Sequence, residues 1–195
     1  MTVTGKNNVA RIALPLGGVA LLAIALVAGV QAWMREDILA AELLVHRQAL
    51  AIVLPMDRYD NEPLTDTIQI NSEPWTGSVE PVTVRRARLG GKPAALVFDV
   101  MAPDGYAGPI RLLVSVAADG RLLGVRVTAH KETPGLGDPI DVRKSPWITG
   151  FTGRYLGDPP RERWAVKRDG GDFDQFASAT VTPRAVVAAV QRTLL

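Results

Sequence analysis

A long run without a charged side chain, from Ile12 to Met34, most constrains what this chain can fold into. Gln31 is the only strongly polar residue within it. As an α-helix rising about 1.5 Å per residue, the run would extend about 34 Å, which exceeds the ~30 Å hydrocarbon core of a bilayer. The sequence therefore predicts a single membrane-spanning helix that anchors whatever follows.

A cleaved signal peptide is the alternative interpretation of this run. Lys6 and Arg11 would form its basic region, and the chain would be cut near Val30–Ala32. The apolar part of a signal peptide extends over only about 7–15 residues, so the length favours a retained anchor. Lys6 and Arg11 precede the run, and Arg35 and Arg47 follow it. Because positive residues lie on both sides, their distribution leaves the orientation in the membrane open.

The composition excludes several functional classes. With 22 basic and 20 acidic side chains, the net charge of +2 does not indicate nucleic-acid binding. The absence of cysteine excludes disulfides, thiol nucleophiles and cysteine-ligated iron–sulfur clusters. His46 and His130 fit no zinc spacing, so neither a metal site nor a catalytic residue is predicted. Any redox chemistry would require an organic cofactor.

Local patterns divide the chain into residues 1–34 (the N-terminal segment and anchor), 35–60 (a connecting helix and loop) and 61–195 (one domain). Helical spacing of apolar residues continues from Arg35 until Pro55, and a loop follows. Strands are predicted at Pro81–Leu89, Ala94–Met101, Ile110–Val116 and Leu122–Thr128. The fold class is therefore α+β, an antiparallel sheet with peripheral helices after a transmembrane helix.

Turns and side-chain alternation add detail to this domain. Asp119-Gly120 predicts a hairpin between the last two strands. Alternation around Val125 and Val127 predicts a sheet with one buried face. The glycines and prolines of residues 130–139 exclude regular structure there, and the chain closes with a helix predicted over Pro183–Leu195.

Three hydroxyl side chains, Ser178, Thr180 and Thr182, precede that last helix. Thr182 followed by Pro183 is typical of a helix start, with threonine as N-cap. Ser178 and Thr180 either bond to nearby backbone or hold a phosphate, which the free N–H groups at a helix start attract.

The stretch DQFASATVT, residues 174–182, resembles the flavinylation motif of the FMN-binding domain family. In that family the threonine that ends a Ser/Thr-Gly-Ala-Thr run is esterified to the phosphate of FMN. GYAGPI at 105–110 and HKETPGLG at 130–137 resemble segments of the G subunits of Rnf electron-transport complexes, as do RKSPW at 143–147 and FTG at 151–153. The resemblance covers nearly the whole chain.

The resemblance implies that Thr180 carries FMN through a phosphoester. It also implies cofactor contacts from Ser178, Ala179, Thr182, Glu132, Thr133, Gly135 and Leu136. Asp174, Ala179 and Thr180 match the motif, whereas Ala177 and Ser178 stand where the family has Ser or Thr and then Gly.

By resemblance, the chain is expected to be a flavoprotein subunit of an ion-translocating ferredoxin:NAD oxidoreductase, without complete activity alone. It would lie in the inner membrane with its FMN on the periplasmic side, contact the other subunits and the lipid bilayer, and need a flavin transferase for maturation. Two alternatives are the related C subunit of sodium-translocating NADH:quinone reductase and a non-redox, membrane-anchored binding module.

Overall fold

The computed structural model describes the backbone of residues 4–71, 81–177 and 179–195, and within the first helix it describes side chains only at 15–31, at 34 and from 47 onward. The chain separates into two units, residues 1–45 and residues 46–195. The predicted site residue Ser178 lies outside the described residues.

Helix α1 extends without interruption from Thr4 to Val53. Its end agrees with the predicted stop before Pro55, because proline disfavours helical geometry in the residue that precedes it. In the first unit the described apolar side chains, among them Leu16 and Leu22, are exposed. Within the described ranges, no helix meets the length and apolarity that crossing a membrane requires.

The second unit is built on one antiparallel sheet. Its strands neighbour each other in chain order: β1 (Thr67–Ile70), β2 (Val82–Leu89), β3 (Lys92–Ala102), β4 (Ile110–Ala117) and β5 (Leu122–Ala129). The predicted strands correspond to β2 through β5, and the Asp119-Gly120 hairpin is confirmed, with Gly120 at φ +83°. β1 is not predicted by the sequence, because it is short and directly follows a loop-forming stretch.

Both faces of this sheet are covered, so the prediction of one buried face is wrong. Alternate residues of a strand point to opposite faces, and in β4 Leu112 and Leu113 belong to two different hydrophobic clusters. Helix α2 (Val181–Thr193) packs in the first cluster, together with Phe151 and other aromatic side chains. Leu54 and the end of α1 pack in the second cluster. The near-continuous apolar run of β4 is the sequence signature of burial on both faces.

Gly124 in β5 allows the end of α1 to approach the sheet closely. A Cβ added at Gly124 would lie 2.9 Å from Cα of Val53 and 3.1 Å from its carbonyl oxygen. Both atoms belong to the backbone and cannot move aside independently. Glycine is therefore required at this contact.

Asp66 attaches the loop before β1 to β2. Its carboxylate accepts hydrogen bonds from Nε of Arg86 at 2.7 Å and from Nε of Arg88 at 2.9 Å. The bond from Arg88 is the largest influence that lowers the pKa of Asp66, and it outweighs the opposing desolvation. Asn61 reinforces the attachment, since its side-chain oxygen accepts from the N–H of Arg88 at 2.8 Å.

Candidate cofactor-attachment site

Thr180 stands at the entrance to α2. The helix begins at Val181, so Thr180 is its N-cap residue, with helical backbone angles (φ −83°, ψ −28°) and no capping bond from its side chain. The closing helix is confirmed, but it begins and ends two residues earlier than the predicted 183–195, so the predicted N-cap at Thr182 is wrong. Pro183 lies in the first turn, where its missing N–H breaks no intrahelical bond. The half-buried hydroxyl of Thr180 is thus not engaged by the start of its own helix.

Thr182 is not the cap because its hydroxyl is bonded elsewhere. Its Oγ1 donates to Oε2 of Glu132 at 2.5 Å, and both side chains are buried, at 0% and 4% exposure. The other carboxylate oxygen, Oε1, accepts from the N–H of Ala107 at 3.1 Å. Glu132 therefore ties three segments together: the β3–β4 loop, the loop after β5 and the first turn of α2. Both of its oxygens are occupied by these bonds.

Two glycines leave room for the buried carboxylate. A Cβ at Gly137 would lie 2.6 Å from Oε2 of Glu132 and 2.9 Å from Oγ1 of Thr182. A Cβ at Gly105 would lie 2.2 Å from the carbonyl oxygen of Gly108 and 3.0 Å from Oε1 of Glu132. Side chains at either position would displace the carboxylate or the loop backbone. The glycines of HKETPGLG and GYAGPI, two stretches that carry the family resemblance, thus meet a packing requirement.

The loop of residues 130–137, which the resemblance places against the cofactor, forms a compact turn after Glu132. The N–H groups of Leu136 and Gly137 both donate to the carbonyl oxygen of Thr133 at 3.1 Å. Gly135 has φ +77°, a conformation that glycine adopts without strain, and its N–H donates to Oδ1 of Asp138 at 2.6 Å. Asp138 begins a short 3-10 helix, Asp138–Ile140, so the prediction that residues 130–139 contain no regular structure is wrong at its last two positions.

Three exposed apolar side chains border this junction. Tyr106 is 72% exposed, Leu136 is 43% exposed and Val181 is 41% exposed. Each is the chain neighbour of a residue at the Glu132 carboxylate, namely Ala107, Gly137 or Thr182. Tyr106, Leu136 and Val181 are thus exposed apolar residues next in the chain to the Glu132 junction, and we call this set the apolar rim.

Among the described residues, Arg168 contacts the hydroxyl of Thr180, whereas neighbouring charges in the chain pair with each other. Nη1 of Arg168 donates to Oγ1 of Thr180 at 3.4 Å. Lys167 donates to Asp174 at 2.6 Å, and Arg184 pairs with Asp169 through bonds of 2.6 and 2.9 Å. The bond from Arg184 is the main cause of the lowered pKa of Asp169.

The structure brings together only part of the predicted set. Thr182 and Glu132 are in direct contact, and Leu136 lies on the apolar rim beside them. Thr133 and Gly135 shape the turn that presents Leu136, and Ala179 forms an isolated bridge to Phe176 just before Thr180.

Sequence reasoning missed Arg168, Ala107 and Tyr106. Ala107 and Tyr106 lie within the GYAGPI stretch already noted for its resemblance, and that stretch was the available signal for them. Arg168 carries no local signal, because it belongs to an ordinary surface run of charges.

Comparison with known proteins gives a consistent result. Residues 105–195 match the model of the FMN-binding domain. The chain is 50% identical over 194 residues to the G subunit of the ion-translocating oxidoreductase complex of Pseudomonas aeruginosa (strain UCBPP-PA14), covering 100% of this chain and 91% of that protein. The corresponding protein of Shewanella loihica is 45% identical over 97% of this chain and 89% of its own length. For the corresponding protein of Cronobacter sakazakii these values are 47%, 89% and 82%.

Proposed function

The chain belongs to the family of G subunits of ion-translocating oxidoreductase complexes, and from this premise we propose that its second unit carries FMN on Thr180 and passes electrons within such a complex. The observation that carries the proposal is the state of the Thr180 hydroxyl. It is half-buried, makes no capping bond and stands at a helix start inside the region that matches the FMN-binding domain.

The surroundings of Thr180 fit both ends of FMN. The first-turn N–H groups of Val181 and Thr182 have no acceptor within a helix, and together with the helix dipole they favour a phosphate. The apolar rim of Tyr106, Leu136 and Val181 offers a surface on which a planar ring can exclude water. A helix start that attracts a phosphate, next to exposed apolar side chains, suits a flavin tethered through its phosphate.

Attachment is a substitution at phosphorus and involves no redox change. The oxygen of Thr180 attacks a phosphorus of a pyrophosphate ester of FMN, a new O–P bond forms, and the bond to the departing nucleotide breaks. The hydroxyl proton passes to solvent. Among the described residues the side-chain partner of this hydroxyl is Arg168, which cannot act as a base at neutral pH. A separate flavin transferase is therefore expected to catalyse the step.

When bound, FMN would supply one- and two-electron transfer between carriers, with ferredoxin and NAD as the ultimate donor and acceptor of the complex. The protein's contribution is positional. The buried Glu132 fixes the first turn of α2 against two loops, so Thr180 and the apolar rim keep one geometry. Within this scheme Glu132 and Thr182 position the cofactor's surroundings rather than bond to the ring.

Anchoring in the inner membrane is the second part of the proposal. The uncharged run from Ile12 to Met34 and the exposed side chains of Leu16, Leu22 and Leu26 support burial of this helix in lipid. We place the second unit on the periplasmic side, beside the other subunits. A reporter that is active only in the cytoplasm, fused after Leu195, should be inactive. Strong reporter activity would refute the orientation, and release of the protein by a carbonate wash would refute the anchor.

The attachment is tested by expressing the full chain with a flavin transferase. Wild type should fluoresce in a denaturing gel and gain the mass of an FMN phosphoester. Thr180→Val keeps the shape of the side chain but removes the oxygen that forms the ester, so both signals should vanish. Ser178→Ala and Thr193→Val, the latter a matched change at the other end of α2, should retain them.

Two outcomes would contradict the proposal in different ways. Retention of covalent flavin by Thr180→Val, together with its loss from Thr182→Ala, would move the acceptor to residue 182. A wild-type chain that never acquires flavin would exclude the electron-carrier function and favour a non-redox binding module.

A further inference from the structure

Arg168 differs from the other cations around Thr180. Lys167 is paired with Asp174 and Arg184 with Asp169. Asp172, which lies in the same stretch of the chain, is paired with Arg163. Over the described residues, Arg168 has no carboxylate within ion-pair distance, although its charge also contributes to lowering the pKa of Asp169, after the larger effect of Arg184. Among the described residues, Arg168 thus contacts the Thr180 hydroxyl without being held in an ion pair.

The backbone holds Arg168 in place beside Thr180. Arg168 is the central residue of a short 3-10 helix, Lys167–Asp169, which ends at Gly170 with φ +88°. Its N–H donates to Oε1 of Gln175 at 3.2 Å, while Nη1 reaches Oγ1 of Thr180 at 3.4 Å. The guanidinium therefore contacts the very oxygen that the proposed function esterifies.

We propose that Arg168 is the phosphate-binding residue of the flavin attachment, pairing with the phosphodiester on Thr180. This inference rests on the proposed function. Each phosphodiester carries one negative charge on two free oxygens, and a guanidinium offers donors in a fork that matches such oxygens. The hydroxyl contact alone uses one donor of five. Arg168 would then hold the phosphate together with the free N–H groups at the start of α2.

Purified full-length variants are incubated with a flavin transferase and with FAD as the FMN donor. The rate at which each variant gains FMN is measured by intact mass. Arg168→Gln should load about five- to tenfold more slowly, the effect of one partly exposed charge-assisted bond. Arg168→Lys keeps the charge but not the forked donors of the guanidinium, so its loading rate should lie between those of wild type and Arg168→Gln. Arg161→Gln removes an exposed arginine elsewhere on the domain and should load like wild type.

A second measurement separates phosphate binding from recognition by the transferase. The ³¹P resonance of fully loaded protein should move in Arg168→Gln and stay in place in Arg161→Gln. A moved resonance supports the phosphate contact whatever the loading rate. An unmoved resonance overturns it, even if loading is slow, because Arg168 would then serve only the transferase. A wild-type chain that gains no flavin would instead remove the proposed function itself.

Discussion

The bond between Thr182 and Glu132 offers the sharpest test of how the site is assembled. Valine matches threonine in shape, so Thr182→Val removes the donor without creating a cavity. The bond is 2.5 Å long and joins side chains that are 0% and 4% exposed, so solvent cannot replace the lost partner. A hydrogen bond to a charged group contributes about 1.5–3 kcal/mol, and a buried acceptor left unsatisfied adds to the loss.

We therefore expect Thr182→Val to lower the free energy of unfolding by about 2–3 kcal/mol. For a protein of this size, that corresponds to a fall in melting temperature of roughly 5–10 °C. The assay is urea unfolding of the full chain in mild detergent, followed by tryptophan fluorescence, with calorimetry as a second probe.

Thr193→Val is the matched control within the same helix. The hydroxyl of Thr193 donates to the carbonyl oxygen of Ala189 at 2.9 Å, a local bond at a half-buried position, so its loss should cost less than about 0.5 kcal/mol. Glu132→Gln combined with Thr182→Val should show a coupling energy of about 1–2 kcal/mol. If Thr182→Val were no more damaging than Thr193→Val, Glu132 would not be the residue that fixes the start of α2.

Three further predictions concern other parts of the second unit. Asp66→Asn should destabilise the protein at neutral pH, and the difference in unfolding free energy from wild type should shrink as the pH falls below about 4. A carboxylate whose pKa is lowered by folding stabilises the fold above its unfolded pKa and loses this effect when it is protonated. Urea unfolding at about pH 7 and about pH 3 measures the difference, and a difference that does not depend on pH would contradict the prediction. Gly124→Ala should lower the free energy of unfolding by about 1–3 kcal/mol because its Cβ would meet the backbone of Val53, whereas Gly150→Ala, with open space around its Cβ, should be tolerated. Equal unfolding midpoints for the two variants would show that α1 can shift. Gly135→Val should retain covalent flavin but change its absorption or potential, because valine at φ +77° strains the turn that presents the apolar rim; an unchanged spectrum and potential would place this loop away from the ring.

Features that depend on neighbours in the chain could be read from the sequence. The helical spacing of residues 35–53 and Pro55 set the end of α1, and the strands β2 to β5 agree with short alternating or apolar runs. The Asp119-Gly120 turn follows from the freedom of glycine at positive φ. The stretch around Thr180 that resembles a flavinylation motif is likewise contiguous. Periodicity and turn chemistry are local properties, so the sequence alone carries them.

Tertiary structure decided which partners the polar side chains chose. Thr182 has the sequence of an N-cap, but Glu132, fifty positions away in the chain, accepts its hydroxyl bond, so α2 starts earlier and Thr180 becomes the residue at the helix entrance. In the same way, Arg168 contacts Thr180 only because the segment between them folds back, and β4 is buried on both faces only because α1 and α2 cover opposite sides of the sheet. A hydroxyl or guanidinium has several possible partners of similar energy, and packing between distant segments selects among them.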